Sequence, residues 1–168
     1  DLRQFLDHRC EPDDREFFDR KQRHQAFARH RAPADTFEPD RVAKALTQGL
    51  GSKVKSALER TIKLAPKHAD AHIVLGTFHA EVIDKVGSLL GRTQGADKAT
   101  GLKMYQQALK LHPASAIGMV EYANGLVMLE GDKKMKEAEK LYADAAACEP
   151  ADAMERLDVE MAKEELED

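Results

Sequence analysis

ALERTIKLAP at 57–66, MYQQALKLHP at 104–113 and LYADAAACEP at 141–150 decide the fold. Aligned on their prolines they extend to Val54-x3-Leu58-x2-Thr61-x4-Pro66, Gly101-x3-Tyr105-x2-Ala108-x4-Pro113 and Ala138-x3-Tyr142-x2-Ala145-x4-Pro150. Each reads as the tail of a helix stopped at proline, which lacks the amide a helix interior needs and clashes with the preceding turn. Small residues recur where one helix must approach another, and a larger residue fills the gap between them. The same packing problem is solved three times along one chain.

Outward from these words, each of the first two prolines is followed by a second helix. Ala69 to about Leu90 carries one stripe of Ala71, Leu75, Phe78, Val82 and Leu89, with His72, Gly76, His79, Ile83 and Gly87 beside it. Two packed faces place such a helix inside a stack. Ser115 to Leu129 is its equivalent in the next unit, closed by a turn at Glu130-Gly131-Asp132. After Pro150, Asp152 and Glu155 have capping-box spacing. Met154, Leu157 and Met161 then form an apolar stripe opposite an acidic face, as a terminal capping helix requires.

The pattern resembles the tetratricopeptide repeat (TPR) family, in Leu75-Gly76 of a first helix, the small-x3-aromatic-x2-Ala spacing of a second, and the closing prolines. The resemblance covers roughly 37–150 and implies a right-handed α-solenoid of about three helix pairs. In the first pair, Pro39–Leu50 would be helix one, Gly49–Ser52 a turn, and Ser52–Ala65 helix two. The organisation expected is an N-terminal helical segment over 1–36, then a repeat domain over 37–168 ending in the capping helix. Pro66 to Pro113 is 47 residues and Pro113 to Pro150 is 37, against a family period of about 34. The second unit therefore carries an insert around 87–101, expected to lengthen its first helix and add a loop. Within 1–36, Asp13–Arg31 reads as one helix anchored by Phe17, Phe18 and Phe27, with a break at Ala32–Asp35. It would cap the stack or belong to a further unit.

Composition agrees with an all-α chain. Of 168 residues, 42% are apolar, 33% charged and only 5% aromatic, which suits amphipathic helices better than sheets. No segment alternates like a strand. The net charge of −4 hides an asymmetry. Arg15–Arg31 holds six Arg/Lys against two acids, and Glu149–Asp168 nine acids against two bases. Opposite ends of opposite sign allow weak self-association, although solvated faces give the same pattern. Cys10 and Cys148 share no motif and read as free thiols. No apolar run is long enough for a membrane span. A start at Asp1 rather than Met reads as a processed or truncated product. The compartment stays open, with the cytoplasm as default.

Sharper chemistry fails on spacing. His68-x3-His72 has the separation of two metal ligands on a helix, but Ala69 stands where a metalloprotease has Glu. His72 and His79 fall where the resembling family places bulky residues that wedge two helices, which favours a structural role over metal binding, and a buried imidazole could confer pH sensitivity. Gly87, Gly91 and Gly95 lack the strand and the Lys-Ser/Thr of a phosphate loop. The basic stretch Arg20–Arg31 could follow a nucleic-acid backbone, but the chain as a whole is acidic, so no nucleic acid is expected.

No nucleophile–base pair or paired carboxylates appear, so the chain reads as not an enzyme and without a cofactor. In the resembling family, first helices line a concave surface that holds a peptide or partner helix. By that resemblance Thr77, Glu81, Glu121 and Asn124 are the candidate binding residues, with Met119, Tyr122 and Met128 as apolar contributors. The lysine pairs that clamp a peptide's C-terminal carboxylate in some members are missing. An acid-lined groove would prefer a basic or neutral ligand. The function expected is a protein–protein interaction scaffold. The alternative is a small-ligand or metal binder built on His72, His79 and Glu81.

Overall fold

A computed structural model describes residues 48–167. The expected helix at Asp13–Arg31, the basic stretch, and residues 39–47 of the helix expected over Pro39–Leu50 lie outside the described residues. Within them the chain is all-α: α1 (Leu50–Leu64), α2 (Ala69–Thr93), α3 (Lys98–Leu111), α4 (Ala116–Glu130), α5 (Met135–Ala146) and α6 (Ala153–Glu167), with a 3-10 turn at Gly131–Lys134 between α4 and α5. No described residue is in a strand, and no described helix is long and apolar enough to cross a membrane.

Proline and caps set the boundaries. α1 and α3 end two residues before Pro66 and Pro113, whereas α5 ends four before Pro150, its last turn closed by the Cys148 amide on the Ala145 carbonyl. Asp97 accepts from the Thr100 amide at 2.8 Å to start α3, and Ser115 accepts from Gly118 at 3.1 Å to start α4. Asp152 starts α6 by accepting from Met154 and Glu155, and Glu155 accepts in return from the Ala151 amide. Each side-chain oxygen satisfies amides that a helix start leaves unpaired.

Three expectations need correction. α1 begins at Leu50, not Ser52, because Gly49 alone supplies the left-handed residue (φ 67°) and Gly51 joins the helix. α2 runs past the expected end near Leu90 to Thr93, taking in the first part of the expected insert, 87–93, and leaving the short connection Gln94–Asp97. At Gly87 its backbone leaves helical geometry (φ 79°, ψ 161°), which glycine adopts without a Cβ clash. Its end is a Schellman motif, with the Ala96 amide on the Gly91 carbonyl and the Gly95 amide on that of Arg92.

The third correction concerns α6. Met154 and Leu157 are 67% and 57% exposed, while Val159 and Ala162 are buried at 3% and 0%. α6 rests on α4 and α5 through its smaller residues. Ala162 permits close approach, and Met161 is only partly covered at the edge.

Each helix packs on its neighbours in sequence, and α2, α4 and α6 also pack one on the next. One apolar cluster runs unbroken from Ile73 on α2 through Tyr105 on α3, Val120 and Leu126 on α4, and Tyr142 on α5 to Val159 on α6. The small positions of the second and third words, Ala108, Ala138 and Ala145, are buried in it. Val54 and Thr61, their counterparts in the first word, are exposed, and α1 has no buried residue.

Tyr105 is a fully buried wedge between helices. A Cβ on Gly76 of α2 would lie 3.0 Å from its ring, and a Cβ on Gly125 of α4 would lie 2.8 Å from its Cζ. Two glycines from different helices thus form a slot that any side chain would fill. In a helix interior Gly→Ala ordinarily stabilises by about 1 kcal/mol, whereas forcing extra atoms into a packed core costs about 1–3 kcal/mol. Gly125→Ala should therefore lower the urea midpoint of unfolding. A raised midpoint would mean that Tyr105 does not occupy the slot.

Candidate functional site

The residues expected to line a groove come from α2 and α4, which pack directly on each other. Thr77 on α2 donates to Glu121 on α4 across 3.0 Å, and Tyr105 donates its hydroxyl to Thr77 across 3.1 Å. The Ile73 carbonyl is also within reach of the Thr77 hydroxyl at 3.2 Å, but a carboxylate is the stronger acceptor. Glu121 is buried, and its contact with Thr77 turns an otherwise costly burial into a tie between helices.

Asn124 shows the same arrangement further along the chain. Tyr142 of α5 donates to its Oδ1 at 2.7 Å. Burial pushes the Tyr142 phenol up from its ordinary range, so it stays a donor across the working pH range. In both cases a tyrosine is anchored to a polar residue on the helix before its own. Glu81 is half-exposed and forms an ion pair with Lys85 one turn on.

The structure thus brings Thr77 and Glu121 together, ties Asn124 to Tyr142 instead, and leaves Glu81 one turn along α2 at the surface. Since Thr77 touches Glu121, the residues one turn from each share a side of the pair: Val74 and Glu81 on α2, Ile117 and Asn124 on α4. Val74 is 48% exposed, and Ile117, Asn124 and Met128 are half-exposed. Of the expected apolar contributors, Tyr122 is instead buried, stacked on Tyr105 at 5.5 Å between centroids. Val74 was missed by both apolar stripes, although its position three residues before Thr77 could have found it.

The histidines are committed to backbone. His72 Nε2 lies 3.0 Å from the Pro66 carbonyl oxygen, so that nitrogen carries the proton. His79 Nδ1 accepts from the Asp97 amide at 3.1 Å, which makes Nε2 its protonated nitrogen. His79 is 1% exposed, and desolvation, helped by the positive charge of Lys55, holds its pKa below the ordinary value. Among the described residues no three His, Cys, Asp or Glu side chains converge as metal ligands, so His72, His79 and Glu81 do not form one centre.

Cys148 is a free thiol, with its Sγ 3.4 Å from the Asp144 carbonyl and its pKa raised by burial. It has none of the lowered pKa that marks a nucleophilic thiolate.

Compared with known proteins, the chain matches no family model and no curated sequence.

The tie between α2 and α4 is measurable. Thr77→Val keeps the side-chain shape but deprives both Tyr105 and Glu121 of a partner, which should cost about 1–3 kcal/mol. Tyr105→Phe should cost less, and the double variant should cost less than the sum of the two, as for residues in one network. Additive losses in urea titrations would mean that the two side chains do not share a hydrogen bond in solution.

Proposed function

We propose that this chain is a non-enzymatic interaction module of the TPR kind, a right-handed α-solenoid of about three helix pairs. On this reading α2–α3 and α4–α5 are two of the pairs, α1 is the second helix of another, and α6 is the capping helix. The exposed side of α2 and α4 binds an extended peptide or a partner helix.

The observation that carries the proposal is the lateral contact of α2 with α4 through Thr77 and Glu121. Stacked helix pairs bring their first helices together in this way, and each pair buries apolar surface that it could not bury alone. Support also comes from the second and third words, whose tyrosines each insert toward the first helix of their own unit.

The ligand that fits is a neutral or weakly basic segment with apolar anchors. Val74, Ile117 and Met128 offer half-exposed apolar surface between polar neighbours, and Glu81 is the acid at its edge. A few such anchors supply most of the affinity in peptide recognition. Glu121 contributes through its place in the helix tie, because its carboxylate is already engaged and buried.

Selection from a displayed peptide library tests the reading. Enriched peptides should bind the wild-type chain and lose about tenfold or more in affinity, near 1.4 kcal/mol, with Val74→Lys/Glu81→Lys. The helical circular dichroism of that variant should be unchanged. Failure to enrich any peptide, or peptides indifferent to this variant, would contradict the assignment.

A further inference from the structure

Opposite the proposed partner face, α2 buries His79 against the start of α3. α3 approaches α2 closely here: a Cβ on Gly101 would lie 2.9 Å from the His79 Cβ. Its Nδ1 accepts from the Asp97 amide. The carboxylate of that same Asp97 accepts from the amide and hydroxyl of Thr100 at 2.8 and 2.7 Å, capping α3. One residue thus links the imidazole to the helix start. The other imidazole nitrogen is buried with no hydrogen-bond partner.

We propose that His79 is a pH-operated latch: a proton on Nδ1 releases the Asp97 amide, draws the Asp97 carboxylate away from Thr100, and loosens the first turn of α3. A proton from solvent converts Nδ1 from acceptor to donor, so it then faces the Asp97 N–H donor to donor. Of the two carboxylates whose charge favours the protonated ring, Asp97 acts more strongly than Glu59, and it is already the α3 cap. The latch cannot hold both arrangements.

The charges around the ring set the direction. From α1, Lys55 opposes protonation and Glu59 favours it, while Asp97 favours it from the start of α3. Lys55 and Glu59 are paired with each other. Arg92, near the end of α2, acts on Asp97. From α4, Leu129 reaches the Gly101 position, and Glu130 is occupied by Lys98 at 2.9 Å. Burial decides the balance, holding the folded pKa of His79 below its unfolded value of 6.5.

The sign follows from linkage. The neutral ring stabilises the fold fully above pH 6.5, and that stabilisation is lost as pH falls through the lower folded pKa, because the unfolded chain binds the proton more readily. Stability should therefore decline on mild acidification, beginning locally at the α2–α3 connection. This does not depend on the partner face, since His79 is buried while Val74 on the other side of α2 is open.

Residue-resolved hydrogen exchange on the full chain, with the imidazole followed by NMR from about pH 7.5 to about pH 5, tests the latch. Protection at the Asp97 and Thr100 amides, corrected for intrinsic exchange, should fall roughly tenfold for each unit by which folding depresses the pKa. The fall should track the imidazole titration, while the Gly118 amide, capped by Ser115 on α4, keeps its protection. In His79→Asn, whose side-chain oxygen replaces Nδ1 without titrating, the local fall should vanish. The proposal is overturned if wild-type Asp97 and Thr100 protection is unchanged through the titration, or falls only together with Gly118. It is equally overturned if the imidazole stays neutral throughout, or if a folded His79→Asn variant shows the same local loss.

Discussion

Tyr105 in the slot between Gly76 and Gly125 is the contact on which the arrangement depends. A bulky ring can serve two helices at once only if both give up their side chains at the point of contact. Glycine is a poor helix former, so its use in the interior of both α2 and α4 costs stability that the packed ring must offset. Close packing then carries the hydroxyl to Thr77, and Thr77 to Glu121. An apolar fit and a polar tie fix the same three helices.

Several features follow from that contact. α2 and α4 are drawn side by side, leaving Val74 and the half-exposed residues of α4 on an open side. α4 is so surrounded by α2, α3, α5 and α6 that none of its residues is fully exposed. Tyr142 and Asn124 form a second hydroxyl tie, between α5 and α4. On the opposite side of α2, the close approach to α3 leaves His79 buried, with its proton position set by the Asp97 amide.

The helix ends before Pro66, Pro113 and Pro150 were legible because proline acts locally, on the turn that precedes it. Capping by Asp152 and Glu155 could be read for the same reason: a cap depends on residues only a turn apart. What escaped the sequence depends on partners far along the chain. Val54 and Thr61 match the motif but are exposed, because burial depends on what a helix packs against. The stripe of Met154 and Leu157 looked like a buried face, yet α6 packs through Val159 and Ala162, whose smaller side chains allow closer contact. For the candidate site, the family resemblance pointed to Thr77 and Glu121 on two different helices. It could not show that they satisfy each other, which makes Glu121 a tie rather than a free acidic contact.

The open side of α2 and α4 is a surface for recognition only if those helices are held as the tyrosine slot requires. The most direct measurement is the nuclear Overhauser pattern of the Tyr105 ring in an isotope-labelled sample. The expected result is cross-peaks from the one ring to the α-protons of both Gly76 and Gly125. Cross-peaks to only one of the two glycines, or to neither, would contradict the slot and with it the side-by-side placement of α2 and α4.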